Sequence, residues 1–380
     1  MALTTTAEQE ALRDVMRAYL AKFSSEDDVR KVMDGDLGYD PRAWTALAEQ
    51  IGVQALAIPE QYGGGGFGFD DLAVVMEEAG RTLFPAPLLS TVVLSSSALL
   101  LSGDEQACAT FLPQIASGEL ISTVAVAEKK AQWQEDDIQT VARRSGASWR
   151  LTGAKPYVLD GFEARLLIVA ARTDAGVSLF GVNADAAGVG VDRHTSMDMT
   201  RRHSAVTLED TQADLLGKDG NGWPVLKELY DRALVALAAE QVGGAAAVLD
   251  STIDYLRLRH QFGRPIGSFQ AIKHRCADLL VELESARSAA AYAIAAISSG
   301  ADDVAVAASI AKTYCSRTFY HVAAESIQMH GGIGFTWEHQ AHLYFKRAKS
   351  SDVLFGSPAF HRERIAKAIG LFEGGALAGV

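Results

Sequence analysis

From residue 225 to about residue 259 no proline interrupts a run in which apolar residues recur at helical spacing. Pro224 stands just ahead of it, where the first turn of a helix has no use for the missing N–H. A helix this long draws its stability from burying an apolar face, so it demands neighbours. Gly243 and Gly244 near its middle cost roughly 1 kcal/mol each relative to alanine. Further helical runs at 269–298, 303–329 and 341–348, joined by short loops, predict a bundle of about four long helices.

The text before residue 118 is helical as well, with apolar residues at helical spacing in 11–23, 44–51 and 72–83. The most apolar stretch, 88–101, is broken by Ser90, Ser95, Ser96 and Ser97 and reads as a buried helix. Tyr62-Gly-Gly-Gly-Gly-Phe-Gly68 formally contains GxGxxG, but no β-branched strand feeds it and no acidic residue follows at dinucleotide spacing. A tight turn between helices accounts for it better. Near residue 120 the composition changes: 122–127, 140–143, 149–152, 166–171, 177–182 and 205–208 are short, rich in Val, Ile and Leu, and separated by Gly, Asp and Ser. The expected division is therefore a helical domain (1–118), a small β domain (119–220) and a helical bundle (221–380).

At 380 residues the chain is long enough for two or three domains. Its 48% hydrophobic and 22% charged residues suit a soluble globular protein, and no segment offers some 18 consecutive apolar residues for a membrane span. The Met-Ala-Leu-Thr-Thr-Thr start lacks the basic and apolar regions of a signal peptide, so a cytoplasmic location is expected. Cys108, Cys276 and Cys315 lie far apart without CxxC spacing, which argues for buried free thiols over zinc or disulfides. A net charge of −12 disfavours nucleic acid as a partner, since that footprint needs clustered Lys and Arg.

Two segments carry candidate chemistry. Arg257-Leu-Arg-His-Gln-Phe-Gly-Arg-Pro-Ile-Gly-Ser-Phe-Gln-Ala271 sits where the long helix ends; Gly263 and Pro265 make the turn. Arg259 and Arg264 flank it with forked donors that could hold a phosphate pair, or simply favour a helix C-terminus. Gln328-Met-His-Gly-Gly-Ile-Gly-Phe-Thr-Trp-Glu-His339 offers an amide side chain followed by Gly331 and Gly332, which let a bulky ligand approach bare backbone. His330 and His339 read as structural histidines, because no set of metal ligands accompanies them.

Residues 259–278, 328–338 and His342-Leu-Tyr-Phe-Lys-Arg-Ala348 resemble the C-terminal signatures of acyl-CoA dehydrogenases. Ile58-Pro-Glu-Gln-Tyr-Gly-Gly64 is similar to that family's N-terminal turn, and Met197-Asp-Met-Thr-Arg-Arg202 to the end of its β domain. The likeness runs from about residue 44 to residue 364. It implies an α+β fold made of an N-terminal helical domain, a middle β-barrel or sandwich and a C-terminal four-helix bundle. It also implies an acyl-CoA substrate, an electron-transfer flavoprotein as electron acceptor, and FAD lying between β domain and bundle in a tetramer, its ADP end gripped by a neighbouring subunit. By resemblance, Arg259 would contact the pyrophosphate and Phe262 would pack on the cofactor. Gln328, Gly331 and Gly332 would cradle its adenosine side, and the flavin ring would rest against the strands holding Ala125, Ala127, Tyr157 and Leu159. The family often has Thr where this chain has Ala127, and Trp and Thr where it has Tyr157 and Leu159. A hydroxyl near flavin N5 tunes hydride acceptance, and Leu159 has none to give.

In this family a carboxylate takes the α proton of the thioester while the β hydride passes to the flavin. Most members place that glutamate just before a glycine beyond the Lys-Arg-Ala run; here the glycine is Gly356 and the residue before it Phe355. A minority take it from the early part of the long helix, where alignment through Glu240, Gly243, Asp250 and Arg259 puts Ala233. Asp231 lies two residues early, which turns its side chain by about 200°, so it could serve only if a bulge resets the register. Otherwise it is a solvated helix charge. Asp352 is a second candidate, three residues from Phe355.

The favoured reading is a subunit that lacks the catalytic base in a mixed assembly with a glutamate-bearing relative, as in actinobacterial enzymes acting on bulky steroid side chains. The alternatives are a homo-oligomer using Asp231, a catalytically silent acyl-CoA-binding scaffold, and a flavoprotein of other oxidative chemistry.

Overall fold

The computed structural model describes residues 5–130, 132–146 and 148–371; the Met1–Thr4 start read above lies outside the described residues. Helices α1 (Ala7–Phe23) and α2 (Glu26–Asp34) each open on a reciprocal capping box, Thr6 with Gln9 and Ser25 with Asp28. They are followed by α3 (Pro41–Gln50) and α4 (Phe69–Arg81). The glycine run before α4 is a turn whose own amides are spent: Gly64, Gly65 and Gly66 donate to the carbonyls of Pro59, Ala55 and Ile58. None of these three N–H groups is left to cradle a phosphate, as the tight-turn reading expects.

The serine-broken stretch is helical and buried, as its apolarity predicts. It begins as a wide π-helical segment, Leu88–Ser95, and passes into α5 (Ser96–Ser102), with α6 (Glu105–Ala116) after it. The serines suit this interior because their hydroxyls return to the chain; Ser95 donates to the Ser90 carbonyl at 2.9 Å and Ser96 to that of Thr91 at 3.2 Å.

The central strands are β1 (Ser122–Ala125), β2 (Val141–Ser145), β3 (Ser148–Leu159), β4 (Leu166–Thr173), β5 (Gly176–Asn183), β6 (Val189–Arg193) and β7 (His203–Leu216). Pairing runs β4–β2–β3–β7–β5 and returns from β5 to β4, so the ladder closes into a barrel; β1 adds in parallel to β4, and β6 antiparallel to β7. Periodicity does not single out β6, whose residues are half-buried or exposed.

The C-terminal region is α7 (Gly222–Leu258), a small hairpin of β8 (His260–Gln261) and β9 (Arg264–Pro265), α8 (Gln270–Ser299), α9 (Val304–His330), α10 (Ala341–Val353) and α11 (Pro358–Ala368). Helix α7 is apolar and long enough to cross a membrane, yet 89% of its most apolar window is buried inside the fold, which makes it the core helix of the bundle. Helices α4, α8, α9 and α10 pack on it.

Glycine in α7 has a packing reason that propensity alone hides. A Cβ built on Gly243 would stand 1.8 Å from the Glu77 carbonyl oxygen of α4, and one on Gly80 would stand 2.0 Å from the Glu240 carbonyl of α7. The two helices therefore cross with their backbones in contact. Gly243→Ala should destabilise the protein by at least about 2 kcal/mol through overpacking, against the ~1 kcal/mol gain that alanine brings to an exposed helical site. Urea melts of the two proteins decide the sign, and a gain in stability would mean that α4 and α7 do not touch.

Candidate active site

Where β1 and β3 meet the α10–α11 turn lies a half-open cavity of about 310 Å³. Val124, Ala127, Leu159, Leu354 and Phe355 give it an apolar wall, while Tyr157, His194, Ser196 and His203 lie along its more polar side. Three of the four residues expected near a flavin ring, Ala127, Tyr157 and Leu159, are brought together here. The fourth, Ala125, is fully buried in β1 and does not line the cavity. Below the strands, the buried Lys155 ammonium donates to the Val126 carbonyl at 3.2 Å and to Glu128 at 2.6 Å. Burial pulls Lys155 down to about 8 against the opposing pull of Glu128. Burial would raise Glu128, but Lys155 and the amides of Thr140 and Gln139 hold it below its ordinary range.

Phe355 occupies the turn between α10 and α11 with φ +58°, a conformation few bulky residues adopt. Its carbonyl accepts from the Tyr230 hydroxyl and, at 3.0 Å, from Nε2–H of His361. Burial pushes His361 down to about 3, so the imidazole is neutral. The Phe355 ring is 3% exposed and meets Trp133 edge-on, with centroids 5.6 Å apart. Ala233 is fully buried in α7.

Helix α7 runs through Asp231 as unbroken α-helix, so the two-residue offset stands. Asp231 is not a solvated charge, as the sequence suggested; it is buried and accepts from Arg364 of α11 at 2.6 Å. Its neighbour in sequence, Tyr230, faces the Phe355 turn instead. Asp352 accepts from Lys349 at 3.0 Å on the α10 surface. Among the described residues, no Asp or Glu lines the 310 Å³ cavity.

The second group of expected cofactor contacts lies at one end of the bundle. The ends of α7 and α9 meet there, the rings of Tyr255 and His330 having centroids 4.3 Å apart. Arg259, Gln328, Gly331 and Gly332 are exposed, and Phe262 is 90% exposed with φ +54°. Gly331 takes φ +65° and ψ −140°, which glycine alone adopts readily; a Cβ on Gly331 or Gly332 would meet nothing within 4 Å. That open space faces away from this chain, and none of these residues lines the inner cavity. His330 donates from Nδ1 to the Ser326 carbonyl at 2.7 Å, and His339 accepts from the Ala341 amide, so both have structural employment.

The sequence profile described as "Acyl-CoA dehydrogenase, C-terminal domain" matches residues 220–370, and the corresponding N-terminal domain profile matches residues 6–119. The acyl-CoA dehydrogenase IpdE2 of Mycolicibacterium smegmatis is 38% identical over 94% of this chain and 97% of its own length. The chain belongs to the acyl-CoA dehydrogenase family. Among solved structures, a variant of the Tcur3481-Tcur3483 steroid ACAD superposes with a TM-score of 0.86 at 31% identity, covering 96% of this chain and 98% of that one. The ChsE4-ChsE5 complex from Mycobacterium tuberculosis gives 0.88 at 27%, covering 99% and 100%. Acyl-CoA dehydrogenases are FAD-dependent oxidoreductases that act on a CH–CH bond of acyl-CoA. The apolar cavity and the bare glycine cradle fit the two ends of such a cofactor, although Leu159 offers no hydroxyl to its ring.

Several residues of the site had no sequence signal, or one whose meaning was hidden. Trp133 is a lone aromatic in the polar run Lys129–Asp137, and that mismatch was the only hint. Asp198, Arg201, Glu240 and Arg347 lie in or beside the family motifs, but their pairing was invisible. Arg347 donates to Asp198 at 3.0 Å, to Glu240 at 2.8 Å and to the Thr200 carbonyl at 2.8 Å; Arg201 donates to Glu240 and, at 3.2 Å, to Ser351. Burial would raise Glu240, but the two guanidiniums hold it below its ordinary value.

Removing one member of such a cluster leaves buried charge uncompensated, so Arg347→Met should cost about 3–5 kcal/mol in a urea melt, with no loss for a surface control such as Lys367→Met. Because the folded Glu240 carboxylate sits below its ordinary value of 4.5, its contribution is present above pH 4.5 and lost as pH falls through the lower folded value. Glu240→Gln should therefore flatten the acid limb of the stability–pH profile measured by denaturant melts below pH 4.5.

Proposed function

We propose that this chain is the subunit lacking the catalytic base in a mixed acyl-CoA dehydrogenase assembly. A related chain supplies the glutamate that takes the α proton, and this chain supplies cofactor contacts and surface. The observation that carries the reading is the absence of any carboxylate from the inner cavity among the described residues: Phe355 and Ala233 stand at the two usual positions, and Arg364 holds Asp231. FAD, when bound, accepts the β hydride. In this reading Ala127, Tyr157 and Leu159 flank its ring, while Arg259, Phe262, Gln328, Gly331 and Gly332 reach the ADP end of a cofactor shared with a neighbouring subunit.

Exposed apolar side chains support association. Val281 and Tyr292 on α8 and Ile310 and Tyr314 on α9 are exposed, as are Leu258, Phe262, Phe335 and Trp337 at the end of the bundle. Two similar structures point the same way, since one is named for two proteins forming a steroid enzyme and the other is a complex. We therefore take a four-chain hetero-oligomer, a bulky ring-bearing acyl-CoA and an electron-transfer flavoprotein acceptor as the working assignment. The units 1–118, 119–220 and 221–380 and a cytoplasmic setting, where CoA thioesters are handled, belong to the same reading.

The test is the visible spectrum of the chain, loaded with FAD and kept anaerobic, as a panel of acyl-CoA thioesters is added. The expected result is no bleaching with the chain alone, and bleaching once a co-expressed glutamate-bearing relative joins it. Bleaching by the chain alone, abolished in Asp231→Asn, would replace this reading with the homo-oligomer.

A further inference from the structure

Leu159 and His203 stand directly opposite one another on β3 and β7. Opposed residues of an antiparallel pair point to the same face with their Cβ atoms about 5 Å apart, and both residues line the 310 Å³ cavity. Their backbones are tied down on either side. The Leu159 carbonyl accepts from the Thr123 hydroxyl of β1 at 2.6 Å, and the His203 carbonyl accepts from the His194 amide at 2.9 Å. Two residues before His203, Arg201 is anchored by Glu240 in the buried ion-pair cluster. The imidazole is therefore carried on a fixed strand end, beside the leucine that has no hydroxyl to give.

Neighbouring polar side chains of the cavity are already engaged. His194 donates from Nε2 to the Pro156 carbonyl at 2.6 Å, and the Ser196 hydroxyl donates to the Asp198 carbonyl. Tyr157 is 52% exposed, so water reaches its hydroxyl. His203 is half-buried, and its ring makes no hydrogen bond among the described residues. Burial first, and then the Arg201 guanidinium, push it down to about 4 against the pull of Asp198, with His194 and Arg347 adding to the downward push. A ring held neutral has one N–H to donate and one bare nitrogen. Leaving such a donor half-buried without a partner costs free energy that a ligand seated in the cavity would recover.

We propose that His203 gives the flavin ring the hydrogen bond that Leu159 cannot, donating its N–H to an acceptor atom of the ring. The inference rests on the reading of this cavity as the seat of that ring. The donor then comes from the strand paired with β3 instead of from β3 itself. A donor at the ring favours its electron-rich reduced form over the oxidised one, so His203 holds the reduction potential up.

The test is the reduction potential of bound FAD, read by anaerobic dye-coupled titration of the full-length protein, co-expressed with its glutamate-bearing relative if the chain alone does not hold the cofactor. In His203→Leu the ratio of reduced to oxidised FAD at a fixed dye potential should fall about fivefold, the worth of one neutral hydrogen bond. His203→Gln, which restores an N–H donor, should recover most of that loss. If His203→Leu does not fold, as judged by its melting transition, His203→Phe takes its place with the same expectation. Leu159→Thr reports on the seat itself, because its hydroxyl would meet the same ring and raise the ratio. If Leu159→Thr moves the potential and His203→Leu does not, or if His203→Gln is no nearer the wild type than His203→Leu, the proposal is overturned and the seat stands. If neither position moves it, the ring lies elsewhere and the reading of the cavity falls with the proposal. None of these outcomes touches bleaching by acyl-CoA, so the base-lacking reading is judged separately.

Discussion

The ion-pair cluster around Arg347 is the constraint on which the site depends. One guanidinium from α10 reaches Asp198 and Thr200 on the segment between β6 and β7 and Glu240 in the middle of α7. Arg201 closes the set from the same segment as Asp198. Two cations and two anions leave no net charge, and each arginine spreads its fixed donors over several oxygens, which is the condition under which buried charge is tolerated. The cluster joins barrel, core helix and α10 at one point. Leu159 on β3 and Phe355 after α10, which line the 310 Å³ cavity, lie on or next to the elements it joins.

Backbone contact between α4 and α7 does the complementary work. Gly80 and Gly243 let the N-terminal helices press on the core helix at a distance that any side chain would forbid. Helix α7 is thereby buried on nearly every side, which explains why its composition mimics a membrane span. It also fixes the rotation of the helix: Tyr230 turns to the Phe355 loop, Asp231 to Arg364, and Glu240 to the arginines.

At the pocket, Phe355 is held firmly in its turn. A phenyl ring at position 355 in a left-handed backbone costs energy, and the structure offsets it with two hydrogen bonds to its carbonyl and two aromatic faces. At one end of the bundle, Gly331 and Gly332 face open space.

The sequence by itself determined the order of helical, β and helical regions, because periodicities of 3.6 and 2 are local and need no knowledge of the fold. It also determined the family, through motifs at 58–64, 197–202, 259–278, 328–338 and 342–348, and that positions 355 and 233 carry no carboxyl group, since that is read directly from residue type. Tertiary structure alone decided what those residues meet. The barrel closure, the partner of Asp231, the pairing of Asp198 with Arg347 and the packing of Trp133 against Tyr230 and Phe355 each join positions far apart in the chain. Such contacts are set by how whole elements pack, and no local pattern in the sequence encodes them.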